Sequence, residues 1–446
     1  MSRFSRRDTL AIGAGAATTL AMGGKALRAE IPVADVAAPD LPIEDGASLT
    51  VLRPAKFVDP DETVFLANTK KFTEATGVEV KVEFESWEDL RPKTAVAANV
   101  GSGPDIIVGF KDDPHQFKNN LVDVTDIADY LGAKYGGWWP LAERMGKDEE
   151  TGNWISLPIG ASGGRIAYRK SWANEAGFDE VPTDHAGFLE FSQKMKDAGH
   201  PGGLALGNAV GDGNSWTHWL IWSHGAAAVD ENDQVIINSP ETIEALNYGK
   251  ALYQTFIPGT LSWLDASNNK AYLAGQIGWT QNGISIYYAA KTSEEAAVQE
   301  IAKDTFHARM PIGEKPGRPT ETALVVNSMV FDYTPYPNAA KAYLTFMMEK
   351  EQYGTWLEEC IGYWNHPLKA YDESPVWTVD PKHEAYKGVF SDSLWDGYRG
   401  SLGEASQAVL ADFVVVQMVA SVCADQATPE EAAAEAERRI KRYYRS

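Results

Sequence analysis

Cysteine is nearly absent from this 446-residue sequence, which holds only Cys360 and Cys423. Two thiols cannot build a disulfide framework, and their spacing is not the CxxC of a zinc or redox site. They form at most one bridge, and two buried thiols are the expectation. Basic side chains are also short, since 40 Lys and Arg against 62 Asp and Glu leave a formal charge of -22. So acidic a surface repels phosphate backbones and anionic lipid, which sets aside nucleic acid and membrane surfaces as main partners. There is no GxxxxGK[ST] phosphate loop and no HExxH, and none of the eight histidines forms an i, i+4 pair; His218 and His224 are six apart. No cofactor or metal is therefore expected. Internal repeats and low-complexity tracts are missing beyond residue 29.

What is present is the bulk of a soluble protein, 44% hydrophobic and 23% charged, and too long for one hydrophobic core. Residues 1–29 differ from the rest. Arg6 and Arg7 precede a mild Gly/Ala/Thr run and a small exit residue, the pattern of a removable export signal of twin-arginine type. The run is too short and weakly apolar for a stable bilayer anchor, and no cysteine near the exit offers a lipid site. These residues carry five basic side chains and one acid, so their loss makes the exported chain still more acidic.

From residue 48 strands and helices alternate. Strands are expected at 48–54, 78–84, 105–108, 154–159, 165–169 and 322–327, with a hairpin at 229–237. Helices are expected at 61–76, 87–99, 183–198, 216–225, 239–256, 267–274, 338–349 and 351–361, and a last one is capped by Thr428 with Pro429 at its first position. Gly77 is placed to stop the first helix. Such alternation implies a parallel sheet covered on both faces, with ligands beyond the carboxyl ends of the strands.

The segment 71–80, KFTEATGVEV, followed by Gly103-Pro104-Asp105-Ile106-Ile107, resembles the opening of the extracellular solute-binding proteins of carbohydrate ABC transporters, relatives of maltose-binding protein. The likeness continues in order through Leu157-Pro158-Ile159, Ala167-Tyr168-Arg169-Lys170, Asn238-Ser239-Pro240-Glu241, Gly362-Tyr363 and the final helix. It implies an α/β fold of the type II periplasmic-binding-protein kind, with two doubly wound lobes joined by crossing hinge segments. Lobe one would be 48–160 and 324–373, and lobe two 161–323 and 374–446. The first crossing would fall in Gly160-Ala161-Ser162-Gly163-Gly164, a glycine cluster suited to a hinge. The resemblance further implies a small carbohydrate ligand, a membrane permease as partner, a periplasmic location and a monomer.

A sugar cleft needs aromatic faces for C–H surfaces, and carboxylates, amides and cations for hydroxyls. The chain is rich in the first, with 14 Trp, 18 Tyr and 16 Phe. By likeness to the family, the ligand contacts would be Trp87, Phe110, Lys111, Asp112, Ser162, Asn214, Trp216, Trp279, Asn282, Trp364, Asn365 and Arg399. Trp219, Trp222 and Tyr287 read as packing. Ser162 stands at a crossing position that is acidic in maltose-binding protein, which weighs against maltose.

Two other readings stay open. Lys111, Ser162, Arg165 and Arg399 could serve a sugar acid, phosphate or sulfonate, although pairing of the arginines with nearby acids is preferred and a neutral sugar, glycoside or polyol comes first. Gly160-Ala161-Ser162-Gly163-Gly164 also contains the GxSxG of a hydrolase, but a nucleophile elbow requires a helix after the turn, and residues 165–169 read as strand.

Overall fold

The computed structural model describes residues 30–444, so the export signal expected at 1–29 lies outside the described residues. Among the described residues eight strands form two sheets. β1 (Ser48–Pro54), β2 (Glu79–Glu85), β3 (Ile106–Phe110), β4 (Leu157–Gly163) and β8 (Ala323–Val330) make the first, in the order β2-β1-β3-β8-β4. β5 (Arg165–Arg169), β6 (Trp279–Asn282) and β7 (Thr305–Ala308) make the second, in the order β6-β5-β7.

Local chemistry accounts for the first units. Helix Asp59–Thr76 carries Asp59, Asp61 and Glu62 in its first turn, where the dipole favours acids, and buries Phe65, Thr69 and Phe72. It ends at Gly77, whose φ of 77° suits a residue without Cβ and whose N–H reaches the carbonyl of Thr73. Helix Trp87–Val100 starts where the Ser86 side chain accepts the N–H of Asp89. Thr428 and Glu431 form a reciprocal capping box on helix Pro429–Ile440.

The parallel arrangement expected from alternation holds for β2-β1-β3. β8 runs antiparallel to both β3 and β4, and the second sheet is antiparallel throughout. Strand direction is set by where the chain re-enters a sheet after a long helical excursion, and hydrophobic pattern carries no record of that. The hairpin expected at 229–237 reduces to a single bridge, Val229 with Val235. Helix Val414–Cys423 was not expected from the sequence; it buries Val414, Val415, Val416, Met418, Val419 and Val422 and leaves Gln417, Ala420 and Ser421 on its outer face. Together with helix Glu404–Ala411 it makes an apolar stretch of bilayer-spanning length, but the chain turns at Phe413 (φ 52°) and most of the stretch is buried inside the protein.

The first core surrounds the five-stranded sheet; the second gathers Phe188, Trp216, Trp219, Leu220, Trp279 and Val419. Trp222 and Tyr287 are buried, in keeping with their reading as packing. Cys360 and Cys423 are separate, buried thiols, as expected.

Candidate ligand cleft

A cleft opens beyond the carboxyl ends of the parallel strands. One wall takes Phe57 from the turn after β1, Trp87 from the start of the helix after β2, and Lys111 from the turn after β3. Ser162 on β4, Leu324 on β8 and Tyr363 complete that side. Facing them are Gly211, Asp212 and Ser215 at the start of helix Asp212–Ser223, Asp265, and Asn282, Gly283 and Ser285 at the end of β6.

The aromatic wall is fixed from behind. Trp87 stacks on Phe110 with ring centroids 4.7 Å apart and planes 9° apart, and its indole N–H donates to the carbonyl of Ala55 at 2.8 Å. Phe57 leans on Trp87 at 5.2 Å and on Tyr363 at 6.3 Å. The turn bearing Lys111 has a φ of 50°, a left-handed conformation held by two hydrogen bonds: the Lys111 N–H donates to Val325, and the Asn327 amide donates to the Lys111 carbonyl, both at 2.7 Å. The Lys111 ammonium is already engaged, donating to Asp396 Oδ1 at 2.7 Å.

The opposite wall is polar. Helix Asp212–Ser223 begins at Gly211, which has no capping side chain, and Asp265 supplies the cap from a distant segment. It accepts the N–H groups of Val210 and Gly211 at 3.0 Å and of Asp212 at 2.7 Å. Asp212 Oδ2 accepts the Asn268 amide at 2.6 Å. Burial, and for Asp212 the neighbouring Asp265 charge, raises both carboxyls above the usual carboxylate range. Asn282 donates to Asn269, whose own amide reaches Ser285 Oγ at 3.1 Å, so the amides are oriented by one another.

Of the residues expected to touch ligand, Trp87, Lys111, Ser162 and Asn282 line the cleft. The other eight stand behind its walls, for identifiable reasons. Phe110 is the fully buried support of Trp87. Asp112 points into a buried seam and accepts Ser406 Oγ at 2.8 Å. Asn214 is buried and returns its amide to Val210 one turn back. Trp216 is wholly buried with its N–H on Ala205, and Trp279 packs between Phe188 and Phe256. Trp364 is buried beside Tyr363, with centroids 4.7 Å apart, and stacks on Trp87 at 6.3 Å. Asn365 holds the carbonyls of Tyr386 and Lys387, and Arg399 that of Gly225. Arg165 pairs with Glu321 at 2.9 Å, as preferred from sequence.

Sequence reading passed over Phe57, Asp212, Ser215, Asp265, Ser285 and, as a contact, Tyr363. Phe57 had a usable signal, since it follows an expected strand end, whereas Asp212 lies four residues before the expected start of its helix at 216. Asp265 had none, because its role depends on a fold contact 53 residues away in sequence.

The cleft offers binding groups, and Ser162 lacks the setting of a nucleophile. Ser162 lies within β4, paired opposite Leu324, and β5 follows after Gly164 alone, so the strand-turn-helix of an elbow is absent. Among the described residues no group of three or more His, Cys, Asp or Glu side chains is placed to hold a metal ion.

Comparison with known proteins agrees with this geometry. Residues 67–385 match the family model described as bacterial extracellular solute-binding protein. YcjN of Escherichia coli strain K12, named as an ABC transporter periplasmic-binding protein, is 27% identical over 196 residues, which are 42% of this chain and 44% of that relative, so the match spans less than half of its length. Among solved structures, maltose-bound MalE3 of T. maritima superposes with a TM-score of 0.77 at 19% identity, over 89% of this chain and 99% of the other. An ABC transporter solute-binding protein of Thermotoga lettingae with bound α-D-tagatose gives 0.75 at 16% identity, over 90% and 100%. These two likenesses are of fold. With the family model covering most of its length, the chain belongs to the bacterial extracellular solute-binding protein family.

Proposed function

We propose that the protein is exported to the periplasm by its twin-arginine segment and there, as a monomer, captures a sugar, glycoside or polyol for an ABC importer. The observation that carries this reading is the pairing of Phe57, Trp87 and Tyr363 on one wall with Asp212, Asp265 and Asn282 on the other. Aromatic rings cover the apolar faces of a sugar ring, while carboxylates and amides take its hydroxyls. The lobes expected from sequence, 48–160 with 324–373 and 161–323 with 374–446, supply the two walls, with Ser162 in the crossing between them. Closure is then stabilised by contacts that the ligand makes to both at once. Ligand contacts are assigned to Trp87, Lys111, Ser162 and Asn282, joined by Phe57, Asp212, Asp265 and Tyr363.

An anionic ligand is disfavoured. The Lys111 ammonium is spent on Asp396, and the positive end of helix Asp212–Ser223, the natural anion site, is occupied by Asp265. Two carboxyls on one wall would repel a further negative charge. The function is that of a receptor, and it is tested by thermal unfolding of the exported chain against sugars, polyols, sugar acids and sulfonates. A saturable rise in Tm with one neutral compound, recovered unchanged, supports the reading; turnover of the compound, or a rise confined to anions, overturns it.

A further inference from the structure

Behind the cleft, the turn after β3 meets the segment 392–411 in a buried seam. Lys111, Asp112 and Asp113 come from one side, Asp396, Ser406 and Gln407 from the other, and all six are at least 95% buried. Lys111 donates to Asp396 Oδ1 at 2.7 Å, and Thr322 Oγ donates to the same oxygen at 3.2 Å. Ser406 Oγ donates to Asp112 Oδ2 at 2.8 Å. Asp113 is satisfied separately, by Arg91 at 2.8 Å, Gln407 at 3.4 Å and the N–H of Phe110 at 2.8 Å.

Two oxygens remain. Asp112 Oδ1 and Asp396 Oδ2 are both buried and without a partner, although each belongs to a carboxyl that otherwise makes good bonds. With Asp113 matched by Arg91, the seam holds two carboxyls against the single ammonium of Lys111. It is neutral only if it also holds one proton, and each orphaned oxygen is a place where that proton can sit.

We propose that this seam is a proton-binding site coupled to closure of the lobes, in which one proton taken up by the Asp112–Asp396 pair stabilises the closed form and so strengthens ligand capture as the medium acidifies. The inference rests on the two-lobe reading above, because opening would return Asp112 to water while closing buries it. Burial first, and then the Asp396 charge, push the Asp112 carboxyl up to about 7 in the shut seam. The other groups facing the seam do not supply the proton over that range. His218 on helix Asp212–Ser223 is held down to about 4 by burial, and Tyr444 is pushed above the usual phenol range. Arg91 and Lys111 face the seam as the partners of Asp113 and Asp396.

The sign follows from linkage. A carboxyl near 4 in the open form and near 7 in the closed form favours closure fully below pH 4, and that advantage falls roughly tenfold per pH unit until it is spent above pH 7. The test is small-angle scattering of the ligand-free exported chain at pH 5 and pH 8, alongside Asp112→Asn and Ser406→Ala. The wild type is expected to be more compact at pH 5, with Asp112→Asn equally compact at both values because its amide donates without a proton. Ser406→Ala removes a bond that favours the ionised carboxyl, so its expansion moves to higher pH; this variant also keeps the test decisive if Asp112→Asn folds poorly. A wild-type radius of gyration independent of pH, or variants that track the wild type, overturns the seam as a proton site. Because the scattering needs no ligand, that failure is distinct from failure of the sugar reading, which would show as no thermal shift with any compound.

Discussion

Asp265 accepts the backbone N–H of Asp212 at 2.7 Å, and by doing so it caps a helix that has only Gly211 at its own N-cap position. The contact ties the loop before helix Ser267–Leu273 to the polar wall of the cleft, so one carboxylate both completes a helix and places Asp212 and Ser215. Asp265→Ala is expected to cost about 1–2 kcal/mol of stability, the usual loss for a helix cap, and to lower ligand affinity. Asp265→Asn, which can still accept, should recover much of the stability. Urea unfolding of the three proteins measures the first effect and calorimetric titration the second.

Ser162 and Gly283 meet across the mouth of the cleft with no room for a Cβ on the glycine. Gly283→Ala is expected to fold normally yet bind ligand at least tenfold more weakly, since the added methyl drives against Ser162 Oγ as the walls approach. Ser162→Gly in the same chain removes the obstructing hydroxyl together with one ligand contact, and should restore affinity in part. Unrestored binding in the double variant would place the fault elsewhere than in this contact.

Phe57 is half-buried, whereas Trp216 and Trp279 are wholly buried. Phe57→Ala should therefore weaken binding with a small effect on Tm. Either tryptophan replaced by alanine should cost about 3–5 kcal/mol of stability, a large share of the roughly 5–15 kcal/mol that a domain has. Thermal unfolding followed by titration separates the two classes of variant.

How far the sequence reaches is visible in these same residues. Strands β1 and β5 and the helix starts at Trp87 and Ser267 were legible, because alternation, caps and Gly77 are local signals. The family likeness supplied the expected lobes and pointed to the loops after β2 and β3 and to the end of β6. It did not tell which residue of each loop faces the ligand: Lys111 reaches the cleft while Phe110 and Asp112 turn away, and Tyr363 reaches it in place of Trp364. Adjacent side chains in such a turn point in opposite directions, so a shift of one position exchanges wall for core. Strand direction in β8 and the role of Asp265 depend on distant contacts that no local pattern encodes.

Cys360 and Cys423 are buried thiols, and burial raises both above the ordinary thiol range, Cys423 to about 12. Neither should react with a thiol reagent at pH 8 in the folded protein, while both should react in denaturant. Prompt labelling under native conditions would contradict their placement.

The central claim is that a cleft with an aromatic wall and an acid-and-amide wall holds a neutral polyhydroxylated ligand without transforming it. The most direct measurement is titration calorimetry of the exported chain and of Phe57→Ala with the compound that raises Tm most in the panel, with the compound recovered and weighed by mass spectrometry. The account predicts one saturable site, at least tenfold weaker in Phe57→Ala, and a compound of unchanged mass. Equal affinity in the two proteins, or a compound altered in mass, would contradict it.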